Sequence, residues 1–519
     1  MFHIQLHPGE PDRAIEYAIN VPTTTHCIGL DFDIEEFAPQ LNNLSLEHWG
    51  ANDFTIARDA HIAKYGNPGT TQILEHFYHL QIGDIGLVRG GATPVALVRI
   101  IGPYQFVQNP PGNYDWFRHR FPVVVIERYK DYIIRYPAVQ INPPAQGTFQ
   151  LLTNQSPTRL ALEIWIASID QMNIEKAATK RLADQLIQSK QTILSGPPGT
   201  SKTWQAKKIA KEILGIDADN EFEQKQGILW NIVQFHPAYN YEDFVRGIQV
   251  STNADGHPQY KTVNRIFAQM ALDAYNDDES WNRLPENERP EAPPKYVLII
   301  DEINRAHLAA VLGELIYGLE YRGSPITTPY AIADAIEPFG GNPYSIIVPP
   351  NLFIIGTMNT ADRSIGHIDY AVRRRFAFVP MPPDKLKLKL YYSNNQHPSH
   401  ENKALALFDS VAGLFHGDNS KLSPEFYADD VQPGHTYFMA DTSDKLANKF
   451  IYQIYPLLRE YIKDGILLPT DGIIRLPINN ITIEPVMRLT ALEDAVMYYL
   501  KSVEIQETQG EPKNNDNPA

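Results

Sequence analysis

Along the first third of the chain, apolar positions come in short runs at 85–88, 95–101 and 122–126. Turn signals such as Gly90-Gly91 and Asn109-Pro110-Pro111-Gly112 separate them. Short apolar runs bounded by Gly, Pro and Asn predict strands, so residues 1–165 read as a β-rich domain. From about residue 170 the period changes. Ile174, Ala177, Ala178, Leu182 and Leu186 recur at helical spacing and predict a helix over 172–189. Strand-length apolar stretches follow at 192–194, 230–235, 296–300, 352–356 and 376–379, separated by helical segments. That alternation predicts a parallel sheet of βαβ units over 166–380. Residues 381–505 read as mainly helical, for example 444–463, and the proline- and charge-rich stretch 276–294 as a surface insertion. The tail 506–519 has no apolar periodicity and is expected to be disordered.

Composition narrows the class. The chain has 519 residues, 43% hydrophobic and 20% charged, which fits a globular protein of several domains and excludes disorder as the main state. A single cysteine, Cys27, excludes a disulfide framework or a Cys-rich zinc site. No apolar run approaches a membrane span and no secretory signal is visible at the start, so a soluble, cytoplasmic protein is expected. The net charge of −16 argues against coating nucleic acid by bulk electrostatics. Two local basic clusters remain, Arg118-His119-Arg120 and Arg373-Arg374-Arg375.

The chemistry concentrates in three segments. Gly196-Pro197-Pro198-Gly199-Thr200-Ser201-Lys202-Thr203 follows a predicted strand and opens a predicted helix. Such a loop turns backbone N–H groups and a helix N-terminus toward a polyphosphate. Lys202 would reach the β- and γ-phosphates and the Thr203 hydroxyl would hold Mg²⁺. Ser201 departs from the pattern, which has glycine there. The second segment is the apolar run 296–300 ending in Asp301-Glu302. Its reading is a buried parallel strand delivering Asp301 to the Mg²⁺ shell and Glu302 to the attacking water. The third is Gly356-Thr357-Met358-Asn359-Thr360-Ala361-Asp362-Arg363-Ser364, whose amide would hold the lytic water. After it, Arg373-Arg374-Arg375 at a helix end would offer a charge to a neighbouring subunit's γ-phosphate, or be a solvated basic helix end.

Together these segments resemble the McrB branch of AAA+ GTPases from modification-dependent restriction systems. GPPGTSKT (196–203), VQFHPAYNYEDFVRGI (233–248), LIIDEINRAHLAAVLGELIYGLE (298–320), GTMNTADRSIGHIDYAVRRRF (356–376) and PGHTYFM (433–439) carry the resemblance. It implies an α/β AAA+ P-loop NTPase with a helical lid, using GTP or ATP with Mg²⁺. It also implies a homo-oligomeric ring, a hexamer, with nucleotide between protomers. Asn359 and Asp362 match the water-positioning residues, and Arg374, then Arg375, the finger acting in trans. A McrC-like nuclease partner is implied, and no nuclease constellation is found in this chain. His435-Thr436-Tyr437 falls at the lid motif of that family, or is a packed turn.

Residues 1–165 are similar to the EVE/PUA-like domains that recognise modified bases. Trp49 and Trp116 are candidate walls for a flipped base, and Arg118 and Arg120 candidate phosphate contacts. Equally, the tryptophans could fill a barrel core and the arginines form surface pairs. The expected function is an NTP-hydrolysing ring motor that recognises modified DNA and drives a partner nuclease. The alternatives are a remodelling or assembly factor whose N-terminal domain binds protein or RNA, and a ring that binds nucleotide with little turnover, with Ser201 as its cause.

Overall fold

The computed structural model describes residues 1–6, 14–30, 62–63, 73, 76–107, 117–135, 140–143, 148–252, 256–332, 339, 341–362, 368–395, 398–418, 420–469, 474–476, 482–483 and 496. The chain divides into two compact units, residues 1–173 with 394–396, and residues 174–393 with 397–519. No helix among the described residues is long and apolar enough to cross a membrane.

The first unit is β-rich. Strands β1 (Phe2–Gln5), β2 (Cys27–Leu30), β3 (Ile85–Gly90), β4 (Thr93–Ile100), β5 (Gln105–Phe106), β6 (His119–Arg128) and β7 (Phe149–Leu151) form one seven-stranded sheet. Their order is β2-β6-β4-β3-β1-β7, with β5 also on β6, and β1–β3 is a parallel pair within otherwise antiparallel neighbours. Helix Ala14–Thr24 packs Tyr17, Ala18 and Val21 into a core with Phe2, Ile4, Val98 and Phe121. The tail 506–519, and Trp49 and Trp116, lie outside the described residues.

The second unit carries a five-stranded, all-parallel sheet. Its strands are β8 (Gln191–Gly196), β9 (Trp230–Gln234), β12 (Tyr296–Asp301), β15 (Leu352–Asn359) and β16 (Ala377–Pro380), in the order β16-β8-β15-β12-β9. Each lies within a few residues of its predicted position. Strands β10 (Arg246–Thr252) and β11 (Pro258–Asn264) make a separate hairpin, and β13 (Pro325–Thr327) pairs with β14 (Ser345–Ile347). Buried parallel strands need cover on both faces. Helix Lys202–Leu214 supplies one side: Ala206, Ile209, Ala210 and Ile213, at helical spacing, pack with Leu194, Val297, Ile299 and Ile355. On the other, Phe267, Ala271 and Ala274 pack with Leu298, Ile300 and Ile354. Residues 398–467 build a helical cluster around Leu407, Val411, Phe438, Phe450 and Leu458.

Three expectations change. The helix predicted from residue 172 begins at Pro157 and runs to Ser189. The stretch 276–294 is not loose throughout, because helix Ile266–Arg283 extends into it and stops at Leu284, before Pro285. The lid helix expected over 444–463 is α-helical over Ser443–Lys449 and Tyr455–Lys463 with a π-helical segment, Phe450–Ile454, between. Pro456 explains the interruption, since it has no N–H to continue the ladder.

Candidate functional site

The predicted chemical segments converge at the carboxyl edge of the parallel sheet, where ligands bind in such folds. Strand β15 sits between β8 and β12, so Asn359 pairs in register with Gly196 while Gly356 pairs with Ile300. This order places Asn359 between the loop after β8 and the acidic pair after β12.

The loop turns sharply. Gly199 has φ +81°, and Ser201, the residue before the helix, is also left-handed at φ 63°. Lys202 is buried and donates from Nζ to the carbonyls of Gly196 (2.9 Å) and Pro197 (2.8 Å) and to Asn359 Oδ1 (2.7 Å). Burial lowers its pKa to about 8, against the opposing pull of Glu302 and Asp301. A polyphosphate entering this loop would exchange those carbonyl contacts for charged oxygens.

Asp301 Oδ1 accepts from Thr203 Oγ1 (2.7 Å) and Thr357 Oγ1 (2.6 Å), and Thr357 Oγ1 accepts from the Glu302 backbone N–H (3.1 Å). Among the described residues, no cluster of three or more His, Cys, Asp or Glu is placed to hold a metal alone. The hydroxyl of Thr203 beside the carboxylate of Asp301 is a hard-oxygen donor set that fits Mg²⁺ completed by phosphate oxygens.

Glu302 is held in the left-handed region at φ 53°, a strained position for a non-glycine residue. Its Oε1 accepts from Asn359 Nδ2. Its Oε2 is buried without a hydrogen-bond partner and lies 3.6 Å from Arg305 Nε. Burial raises the Glu302 pKa, with Arg305 opposing. A carboxylate with one oxygen fixed by an amide and the other free of hydrogen bonds beside Arg305 is placed to take a water proton. Arg305 also reaches Asp362 (3.7 Å), and Asn304 Nδ2 donates to the Asn359 carbonyl (3.0 Å). Asn304 and Arg305 lie in the segment 298–320 that carries the resemblance, but the sequence assigns neither of them a role.

The lid motif is part of the site. The Gly434 N–H donates to the Pro198 carbonyl (2.9 Å), and the Thr436 N–H and hydroxyl both donate to the Gly199 carbonyl (3.0 and 2.9 Å). A Cβ at Gly434 would lie 2.1 Å from the Gly199 carbonyl, so only glycine permits this approach. His435 is fully buried. Its Nδ1 accepts from the Asp384 N–H (3.2 Å), so Nε2 carries the hydrogen and donates to Ser201 Oγ (3.2 Å).

The arginines at the end of helix Tyr370–Arg373 are not equivalent. Arg375 donates to the Ala371 carbonyl (2.8 Å) and pairs with Glu320 (2.5 Å), whereas Arg374 is exposed.

In the first unit, the Arg120 guanidinium is buried and donates to the Phe117 carbonyl (3.0 Å), and Arg118 is half-buried. The same unit has a concave pocket of about 540 Å³ lined by Tyr78, His79, Pro103, Tyr104 and Phe121. Tyr104 and Tyr78 meet edge-on at 5.1 Å, and the Tyr104 hydroxyl lies 2.5 Å from His119 Nδ1. Sequence reasoning did not find this pocket, because its aromatic residues are scattered over 78–121 with no fixed spacing.

Residues 191–376 match the family of AAA domains of the dynein-related subfamily. The chain is 31% identical over 311 residues to the type IV methyl-directed restriction enzyme EcoKMcrB subunit of Escherichia coli (strain K12), covering 57% of this chain and 59% of that protein. It is 26% identical over 216 residues to the type II restriction enzyme BsuMI component YdiS of Bacillus subtilis (strain 168), covering 38% of this chain and 58% of that one. The chain thus matches less than two thirds of the length of each relative.

Proposed function

We propose that this chain, a McrB-like protein with an AAA domain over residues 191–376, is the nucleoside-triphosphate-hydrolysing and DNA-recognising subunit of a restriction system. The observation that carries the hydrolytic part is Asn359, which holds Lys202 through Oδ1 and Glu302 through Nδ2. One amide thereby fixes the spacing between a phosphate-binding cation and a carboxylate poised for water.

In this reading the backbone N–H groups of the loop and the Lys202 ammonium bind the triphosphate. Thr203 and Asp301 hold Mg²⁺, which supplies neutralisation of the charge shared by the β- and γ-phosphates. Glu302 orients the attacking water and accepts its proton, while Asn359 and Asp362 fix the geometry around it. Arg374 serves the γ-phosphate of a neighbouring protomer in a ring, a hexamer, because Arg375 is held by Glu320 in its own chain. The triphosphate is GTP by likeness to the McrB branch, with ATP as the alternative.

The first unit would recognise DNA carrying a modified base. Its aromatic pocket at Tyr78, Tyr104 and Phe121 supports this, since an extruded base needs apolar ring walls. A McrC-like nuclease would make the cut. Phosphate release from GTP and from ATP, with and without methylated DNA and a candidate nuclease subunit, tests the whole. Stimulation by both is expected. Turnover indifferent to both would move the protein to the remodelling class, and no turnover would leave a nucleotide-binding role.

A further inference from the structure

We propose that Trp204 is the platform on which the base of the bound nucleoside triphosphate stacks. The inference rests on the reading that the loop 196–203 holds the triphosphate, and it adds the site for the base. Trp204 follows Thr203 directly, on the first turn of helix Lys202–Leu214, and its side chain is 50% exposed. The opposite face of that helix is fully packed through Ala206, Ile209 and Ala210, so the indole is not a displaced core residue. Two of the other tryptophans, Trp165 and Trp230, are completely buried.

Ser201, Trp204 and Lys208 are spaced three and four residues apart and line one stripe of the helix. The stripe begins in the phosphate loop, where Ser201 meets His435 of the lid. It ends at Lys208, whose ammonium lies 3.6 Å from the Trp204 ring centroid and is itself paired with Glu175 at 3.2 Å. A cation over the ring holds the indole in one orientation, and half of the residue stays exposed. A triphosphate seated in the loop extends its sugar and base past the helix N-terminus, and this stripe offers a flat apolar surface there. Stacking on an indole accepts any base, so Trp204 supplies affinity for the nucleoside part, with Lys208 and Glu175 as positioning residues.

Equilibrium binding of GTP, ATP and inorganic tripolyphosphate, each with Mg²⁺, to the wild-type chain, Trp204→Ala and Trp204→Phe tests the assignment. For Trp204→Ala, both nucleotides are expected to bind roughly five- to a hundredfold more weakly, the range for a base stacked on an aromatic ring, while tripolyphosphate binding is unchanged. Trp204→Phe keeps a stacking ring and should retain most of the nucleotide affinity. Equal loss for nucleotides and tripolyphosphate, or no loss for any, overturns the proposal. A wild-type chain that binds neither nucleotide nor tripolyphosphate would instead bring down the reading of the loop, and this inference with it.

Discussion

Ser201 and His435 are 234 positions apart in the chain and 3.2 Å apart in the fold. The serine stands where a phosphate loop of this type has glycine, in a left-handed conformation that costs an L-residue roughly 1–2 kcal/mol. The hydrogen bond from His435 returns about 1 kcal/mol of that. Ser201→Gly should therefore remove both the strain and the bond and melt close to wild type. His435→Ala leaves a buried cavity and an unpaired Asp384 N–H, and should cost about 2–4 kcal/mol. Chemical denaturation of the two variants distinguishes these outcomes.

The same histidine gives the lid a dependence on pH. Burial lowers His435 from 6.5 to about 4, so the unfolded chain takes up the proton first as the solution is acidified. Its contribution is whole above about pH 6.5 and is lost progressively as pH falls toward 4, amounting to about 3 kcal/mol in total. Thermal melts should show a decline between pH 6.5 and 5 that is flattened in His435→Gln.

Asn359 touches both working groups of the site. Asn359→Asp places a second carboxylate against Glu302 and should reduce turnover by more than Asn359→Ala, with both at least ~10-fold below wild type. Nucleotide affinity should change less than kcat. Steady-state kinetics with parallel binding measurements check the split.

Lys202 binds triphosphate only in its charged form, and burial brings its pKa down to about 8. Above that pH, binding must take up a proton, so Kd should rise by up to about tenfold per pH unit. A titration of affinity between pH 7 and 9.5 at fixed Mg²⁺ reads this slope.

Arg246 is a structural counterpart to these residues. It is fully buried, and its guanidinium donates to Asn264 Oδ1 (3.0 Å), Thr328 Oγ1 (2.8 Å) and the carbonyls of Tyr330, Pro343 and Ser345 (3.1, 3.1 and 2.8 Å). It fastens the base of the β10–β11 hairpin to the segment around β13 and β14. Arg246→Ala removes five buried hydrogen bonds at once and should destabilise by about 3–5 kcal/mol in denaturant melts.

Much of the site was legible because its residues sit in contiguous segments at strand ends. The run Tyr296–Asp301 is apolar until its carboxylate, and the glycines and Lys202 of the loop are adjacent in sequence. The contact between Ser201 and His435 was not legible, because nothing local in either segment encodes a partner so distant in the chain. The helix start at Pro157 was missed for a different reason. Leu160, Leu162, Ile164, Trp165 and Ile166 cluster too densely to show a clean 3.6-residue period, and Leu160 and Ile164 are in fact exposed. In the lid, apolar periodicity continues through 444–463 and so hides the π-helical turn that Pro456 imposes. The inequality of Arg374 and Arg375 also needed the fold, since Glu320, which holds one of them, lies on another helix.

In the proposed mechanism Glu302 acts on water while Lys202, Thr203 and Asp301 hold the nucleotide. Single-turnover phosphate release by Glu302→Gln, measured beside its equilibrium affinity for the same triphosphate, tests it most directly. Binding within a few-fold of wild type and release slowed by about 10²–10⁴-fold are expected. Release within two- to threefold of wild type, with binding intact, would contradict it.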